Sequence, residues 1–401
     1  MSVGPGTIGE RIRQPRRQLD PQMTQRELAE RAGVSLDLIS KLEQGQKQTA
    51  LLVSLHKIAR ALDVDVAVLL ARPPQIDVAE DDQDQGVLAI RRAITAVWED
   101  GEPASLDELK RSARYAWSAY WTNRFDLLGR LLPGFISTAR ASAREAASPE
   151  VFAALSDAHG AAASMLLHLG HVDLAYLAME RAVAAAGRSD DSLHRAAVSG
   201  WMSWLLMHQT GSTGQARRLA VEEADRIEPR LGKAKPEQIS VWGGLLLSGA
   251  VAAGRDDQPA EADDLLNVAE AAATRLQAAS HEVRLDHDRP FGLPVVVQVS
   301  VDVSVVTGRP GRALEVAKKM PPDAGLPLVA KARHLADVAA AQTSLGRDRE
   351  ATGTLLTIER TAPDWMKYQP FPRTIVRELL ERERRSRTPR LRGLATRLGV
   401  A

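Results

Sequence analysis

The chain contains no cysteine. That excludes disulfides, thiol nucleophiles and cysteine-ligated zinc or iron–sulfur centres, and it suits a reducing compartment. Net charge is nearly absent as well: 52 Lys and Arg against 51 Asp and Glu leave +1 over 401 residues. The molecule as a whole therefore has no electrostatic preference for polyanions, and any nucleic-acid binding must come from local charge. Long hydrophobic runs are missing too. Stretches such as Val295–Val297 and Leu245–Leu247 fall far short of the roughly 20 apolar residues a membrane span needs. The opening segment MSVGPGTIGERIRQPRR has no apolar core of the kind a secretory signal requires. A soluble, cytoplasmic protein is expected. There is no P-loop, no Gly-x-Ser-x-Gly, no His-Glu-x-x-His and no suggestively placed carboxylate pair, so neither an enzyme nor a cofactor is expected.

What is present is an ordinary globular composition, with 44% apolar and 26% charged residues. A chain this long implies about two or three domains or an extended repeat array. The expected fold class is all-α. Residues 7–71 read as five short helices, within a first domain over 1–72. Thr7-Ile-Gly-Glu10 and Thr24-Gln-Arg-Glu27 are capping-box patterns that open two of them. Leu28, Ala29 and Ala32 form the apolar face of the second helix, and Gly33 supplies a permissive corner. Ser35 caps a third helix, Leu36–Gln44, which Gly45 ends. Two more follow near Leu51–Leu62 and Asp65–Ala71. Arg72-Pro73-Pro74 breaks the pattern, and the acidic stretch through residue 86 reads as a solvated linker.

Residues 87–401 are Ala- and Leu-rich with helical spacing, punctuated by Gly at intervals of about 40 to 55 residues: Gly170, Gly211–Gly214, Gly254, Gly308–Gly311 and Gly346. That is the scale of a two-helix repeat. Small residues after each glycine, such as Ala175, Ala178 and Ala182, let a second helix approach the first closely. A degenerate earlier copy falls in Leu106–Arg140. Five or six hairpins stacked as a solenoid are expected. Val295–Val306 alternates like a strand, yet on a helix the same valines give two apolar faces. That suits an inner repeat helix packed on both sides, and helix is the reading taken. His281, Asp286, His287 and Asp288 have metal-ligand chemistry, but their spacing fits no recognised site and Arg284 and Arg289 lie among them. A solvated loop is expected there and no metal. The Arg-rich end, Arg373–Arg397, reads as a salt-bridged capping helix.

The run Thr24-Gln-Arg-Glu-Leu-Ala-Glu-Arg-Ala-Gly-Val-Ser-Leu-Asp-Leu-Ile-Ser-Lys-Leu-Glu-Gln-Gly45 resembles the Cro/C1-type (XRE) helix-turn-helix family. The resemblance implies a five-helix DNA-binding domain whose third helix lies in the major groove of a double-stranded DNA operator. By position, Leu36, Asp37, Ser40 and Lys41 face bases. Lys41 can donate to guanine, Asp37 can accept from cytosine, and Leu36 can touch a thymine methyl. Gln25 matches a phosphate-holding position, and Gln44, Gln46 and Lys47 flank the helix end as further phosphate contacts. Arg16 and Glu43 match a family pair that forms a structural salt bridge. Two features depart from the pattern: Pro15 occupies a slot usually held by an apolar helix former, and the loop Leu19–Met23 is about two residues longer than usual. Local charge agrees with the reading, with 11 Lys and Arg against 8 Asp and Glu in residues 1–72.

The later repeats are similar to tetratricopeptide (TPR) hairpins, and the whole is similar to actinobacterial XRE–TPR regulators. This implies a homodimer and a sensor half that takes a small-molecule or peptide effector. Trp117, Tyr120, Trp121, Trp201, Trp204 and Trp242 all fall in first helices of hairpins. They either line an effector pocket on the concave side or fill the inter-helix core. With only Asn123 and Asn267 in this half to clamp a peptide backbone, a small effector is favoured. A protein-interaction scaffold and an autoregulating antitoxin are the alternative readings.

Overall fold

A computed structural model describes residues 7–18, 22–47, 50, 52–62, 64, 69, 80–96, 101–209, 211–277, 283–382 and 389–400. Helix α1 (Ile8–Gln18) opens on the Thr7 box: the Thr7 N–H donates to Glu10 Oε2 at 2.7 Å and the Glu10 N–H to Thr7 Oγ1 at 3.3 Å. Pro15 lies inside α1, which starts well before it, so the proline does not set where the helix begins. Helices α2 (Gln25–Ala32), α3 (Leu36–Glu43) and α4 (Leu52–Ala61) follow. Ile12, Leu28, Ile39, Leu42, Leu55 and Ile58 close a small core with no exposure. The contact between α1 and α3 depends on Gly9, where an added Cβ would stand 2.0 Å from the Leu42 carbonyl oxygen. The fifth expected helix, 65–71, lies outside the described residues except for buried Leu69, whose carbonyl accepts from Arg11 Nε at 3.0 Å. Loop residues 19–21 are likewise outside them.

The acidic linker expected through residue 86 is corrected in part, because helix α5 (Glu80–Thr95) already begins at Glu80. Acidic residues suit the positive N-terminal pole of a helix. Further along α5, Val87, Ile90 and Ile94 are buried at helical spacing. Residues 71–79 lie outside the described set.

Six helix pairs then follow. They are α6 (Leu106–Trp121) with α7 (Phe125–Glu145), α8 (Pro149–His168) with α9 (Val172–Ala186), and α10 (Ser192–Leu206) with α11 (Thr213–Arg226). After them come α12 (Pro236–Arg255) with α13 (Pro259–Gln277), α14 (Leu293–Val306) with α15 (Pro310–Ala317), and α16 (Leu328–Ser344) with α17 (Asp348–Thr361). The turn inside each pair repeats one conformation. Two residues before every second helix stands a left-handed residue: Asn123 (φ 60°), Gly170 (83°), Gly211 (75°), Asp257 (59°), Gly308 (74°) and Gly346 (72°). In five of the six, the next N–H reaches back to the carbonyl five residues earlier, as in Arg124 to Ala119, His171 to Leu166 and Arg347 to Gln342. Alanines of the second helices sit at these contacts: Ala175, Ala178, Ala216, Ala220, Ala262, Ala313 and Ala351 have no exposure. Ala260 does not share this role and is exposed.

First helices of neighbouring pairs touch, from α8 through α10, α12 and α14 to α16, and α16 also meets α6. Helix α14 shows why alternating valines form a helix here. Val295, Val296, Val299, Val301, Val303 and Val305 are all buried, because α12, α13 and α16 cover it from several sides. Asp302 at its centre ties three first helices together. It takes Arg255 Nη1 of α12 at 3.2 Å and Arg333 Nη2 of α16 at 2.7 Å, and Arg333 Nε also reaches Asp337 at 3.1 Å.

The described residues are all-α apart from one small hairpin, and the expectation of a solvated loop around 281–288 needs correction. Strands β1 (Arg284–Asp286) and β2 (Arg289–Phe291) form an antiparallel hairpin. Its two tip residues, His287 (φ 45°) and Asp288 (φ 59°), take the positive φ that a tight hairpin turn requires. The hairpin packs inward: Phe291 is fully buried over Gly243, where a Cβ would stand 2.0 Å from Phe291 Cζ. His281 lies outside the described residues, and among those described no group of acids and histidines is arranged to hold a metal. The Arg-rich end forms two helices after the short α18 (Pro363–Tyr368): α19 (Pro370–Arg382) and α20 (Pro389–Arg397). Arg382 pairs with Glu378 at 2.5 Å and Arg397 with Glu359 at 2.5 Å. No described helix is long and apolar enough to cross a membrane. Helix α4 rests against α14 and α16, and Arg60 reaches Asp257 at 2.5 Å.

Candidate nucleic-acid interface

Helix α2 is fastened at both ends. Thr24 and Glu27 exchange side-chain and backbone hydrogen bonds at its start, and Gly33 (φ 59°, ψ 41°) closes it in the left-handed conformation. The Val34 N–H then bonds the Ala29 carbonyl at 3.0 Å, which sets the corner. Ser35 Oγ accepts the Leu38 N–H at 3.2 Å and starts α3. Ile39 and Leu42 anchor α3 in the core without exposure, so its opposite face must point outward. Leu36 is 46% exposed. Asp37 and Lys41 are exposed beside it and Ser40 is half-buried. Gln44, Gln46 and Lys47 continue the exposed surface past the helix end.

Lys41 Nζ contacts Asp37 Oδ2 at 2.7 Å, and Gln44 Nε2 donates to Ser40 Oγ at 3.0 Å. Exposed pairs one helical turn apart contribute only about 0.3–0.5 kcal/mol. A base-edge contact discriminates by about 1–3 kcal/mol. The intrahelical bonds are therefore cheap to exchange for contacts to DNA. Lys47 also lies within Coulombic reach of Glu381 on α19.

Behind this face, Arg16 and Glu43 meet in a two-pronged ion pair, with Arg16 Nε to Oε1 and Arg16 Nη2 to Oε2 both at 2.7 Å. Arg16 is 7% and Glu43 4% exposed. Arg16 Nη1 also donates to the Met23 carbonyl at 2.7 Å, which ties down the end of the long loop. Burial pushes the Glu43 carboxyl up, but hydrogen bonds from Arg16, Gln25 and Arg13 and the Arg16 charge outweigh it and hold the group below the usual carboxylate range. Two partners were not foreseen. Arg13 reaches Glu43 Oε2 at 3.4 Å, and the Gln25 amide donates to the same oxygen at 2.8 Å. Gln25 is thus braced from inside the domain. Arg13 carried a signal, since it stands one helical turn before the Arg16 side of α1, but nothing in the sequence singled it out.

The six aromatic residues of the repeat half divide. Trp117 and Trp201 stack with ring centroids 5.2 Å apart, Tyr120 meets Trp117 edge-on at 5.6 Å, and Trp121 and Trp204 lie 5.8 and 5.6 Å from Trp201. Tyr120 hydroxyl and His168 Nε2 are 3.0 Å apart. Trp242 makes no ring contact with this cluster and is buried in a separate core with Leu246 and Phe291. Trp117, Tyr120 and Trp201 are buried, while Trp121 and Trp204 are only half-buried.

Residues 17–69 match the helix-turn-helix family. The match runs from the end of α1 to Leu69, so the N-terminal part of the chain holds a helix-turn-helix, and the C-terminal half is left uncovered. No curated protein and no solved structure matches the chain.

Proposed function

We propose that this chain is a sequence-specific DNA-binding transcription regulator. The observation that carries the reading is the outward face of α3. Leu36, Asp37 and Lys41 are exposed on a capped helix whose other face is locked in the core, inside a segment that matches the helix-turn-helix family. Such a helix fits the major groove, with Leu36, Asp37, Ser40 and Lys41 meeting base edges. Gln25, Gln44, Gln46 and Lys47 are the phosphate contacts of this reading, and the Arg16–Glu43 pair keeps α1 and α3 in register.

The helix pairs of the C-terminal half, with one turn conformation used six times, support a TPR-like solenoid. In this reading that half forms the homodimer, which pairs two helix-turn-helix domains with two operator half-sites. It also senses an effector, for which the half-buried Trp121 and Trp204 are the best placed aromatics. The protein acts in the cytoplasm on chromosomal DNA.

Gel shift on the DNA upstream of the protein's own coding region tests the reading. Lys41→Ala is expected to weaken binding by about 1–3 kcal/mol and to relax preference at one base pair. Lys47→Ala is expected to weaken binding evenly across sequences and to lower the salt-dependence slope by about 1. Unchanged binding in both variants means that another surface does the work.

A further inference from the structure

The β1–β2 hairpin carries Arg289 onto the middles of the first helices α10 and α12, and the chain has cleared a place for it. The guanidinium lies on Gly200 of α10, where an added Cβ would be 2.8 Å from Nη1, and near Gly244 of α12, 3.8 Å from Nε. Arg289 Nη2 donates to Ser248 Oγ at 2.8 Å, and the Trp201 ring centre is 5.0 Å from Cζ. Nη1 is closed off from solvent and has no acceptor. Arg16 is neutralised by Glu43, and the half-buried Arg255 and Arg333 by Asp302. Arg289 forms no ion pair with a described carboxylate, and its burial draws its pKa down to about 10, offset in part by Tyr120. Tyr120 is itself pushed up by burial and stays neutral near pH 7. Attraction to one ring face at that distance is smaller than the cost of desolvating a guanidinium, so the fold alone does not account for this arginine.

We propose that Arg289 is the anion-receiving group of a ligand site for a small planar aromatic acid. Its carboxylate bonds Nη1, and its ring lies beside Trp201 against the half-buried Trp121 and Trp204. Aromatic walls with one fixed charge are what such ligands select. Entry shifts the hairpin tip, which is held by Trp121 Nε1 donating to the Asp288 carbonyl at 3.1 Å and by the turn at His287 and Asp288. This deepens the reading of the repeat half as a sensor and rests on it for any effect on DNA.

The test uses the full chain without DNA, so failure of this site and failure of DNA recognition are told apart. Tryptophan fluorescence and calorimetry are followed with benzoate and indole-3-acetate, against benzylamine and benzyl alcohol as controls of other charge. The acids are expected to bind saturably and the controls not. Arg289→Gln is expected to weaken the acids at least about tenfold, and Gly200→Ala, which crowds the guanidinium without removing charge, to weaken them as well. Arg289→Met is expected to raise the melting temperature of the ligand-free protein, because it removes a desolvated charge that has no ion pair while Ser248 keeps its bond to the Gly244 carbonyl. The proposal is overturned if neither acid binds up to about 10 mM, if Arg289→Gln binds them equally, or if Arg289→Met lowers that melting temperature.

Discussion

Glu43 is the residue on which the N-terminal domain turns. It receives Arg16, Arg13 and Gln25 while 4% exposed, so removing one partner leaves a charge buried without its compensation. Arg16→Met is therefore expected to cost about 3–5 kcal/mol in urea unfolding of the domain, unlike Asp37→Ala on the exposed pair, which is expected to cost under about 0.5 kcal/mol. The pH dependence has a definite sign. Glu43 titrates below the value of about 4.3 of an unfolded chain, so its contribution is complete above that pH and is lost as pH falls through the lower folded value. Glu43→Gln is expected to flatten that acid limb in urea titrations between about pH 5 and 3; an unchanged limb assigns it to other carboxylates. Leu36, Asp37 and Lys41 were legible as outward-facing from their positions in the helix-turn-helix pattern, and Ile39 and Leu42 are buried on the other side. The partner of the Gln25 amide was not, since a side chain one position into a helix can turn to solvent or inward, and only the placement of Glu43 decides.

At the scale of the element, the repeated left-handed turn is the organising feature of the C-terminal half. Gly170→Ala and Gly346→Ala each force a Cβ into a conformation disfavoured by about 1–2 kcal/mol, and each is expected to lower stability by that amount in thermal or urea unfolding. Asn123→Gly is expected to be close to neutral, because glycine takes the left-handed region freely, and Asp257→Gly to cost at most about 1 kcal/mol through the exposed Arg60 pair. An equal loss at all four sites contradicts a shared turn. The glycine turns were readable in the sequence as punctuation, whereas the turns at Asn123 and Asp257 were hidden because they use the less common residues. The hairpin was misread for a related reason. Asp286-His287-Asp288-Arg289 is polar enough for a solvated loop, and only the fit of Phe291 over Gly243 draws it inward. Glu80 likewise begins a helix where acidic composition had suggested a tether.

At the scale of the molecule, a nearly neutral chain carries a local positive excess in residues 1–72, on the domain that presents α3, and a second one in the Arg-rich end, Arg373–Arg397. DNA affinity is therefore expected to fall steeply as salt rises, in proportion to the phosphates that the domain neutralises. Helix α4 meets α14 and α16 and Arg60 meets Asp257, so the domain is docked on the repeats through its rear face while α3 stays exposed. That arrangement gives a change among the repeats a physical route to the DNA-binding face, through α4. DNA binding itself is the central claim, and footprinting of the purified full chain on the DNA upstream of its own coding region tests it most directly. The account predicts a protected segment that resists nonspecific competitor DNA and that disappears with Lys41→Ala at moderate salt. Protection that is absent, or that competitor DNA removes equally from wild type and variant, contradicts it.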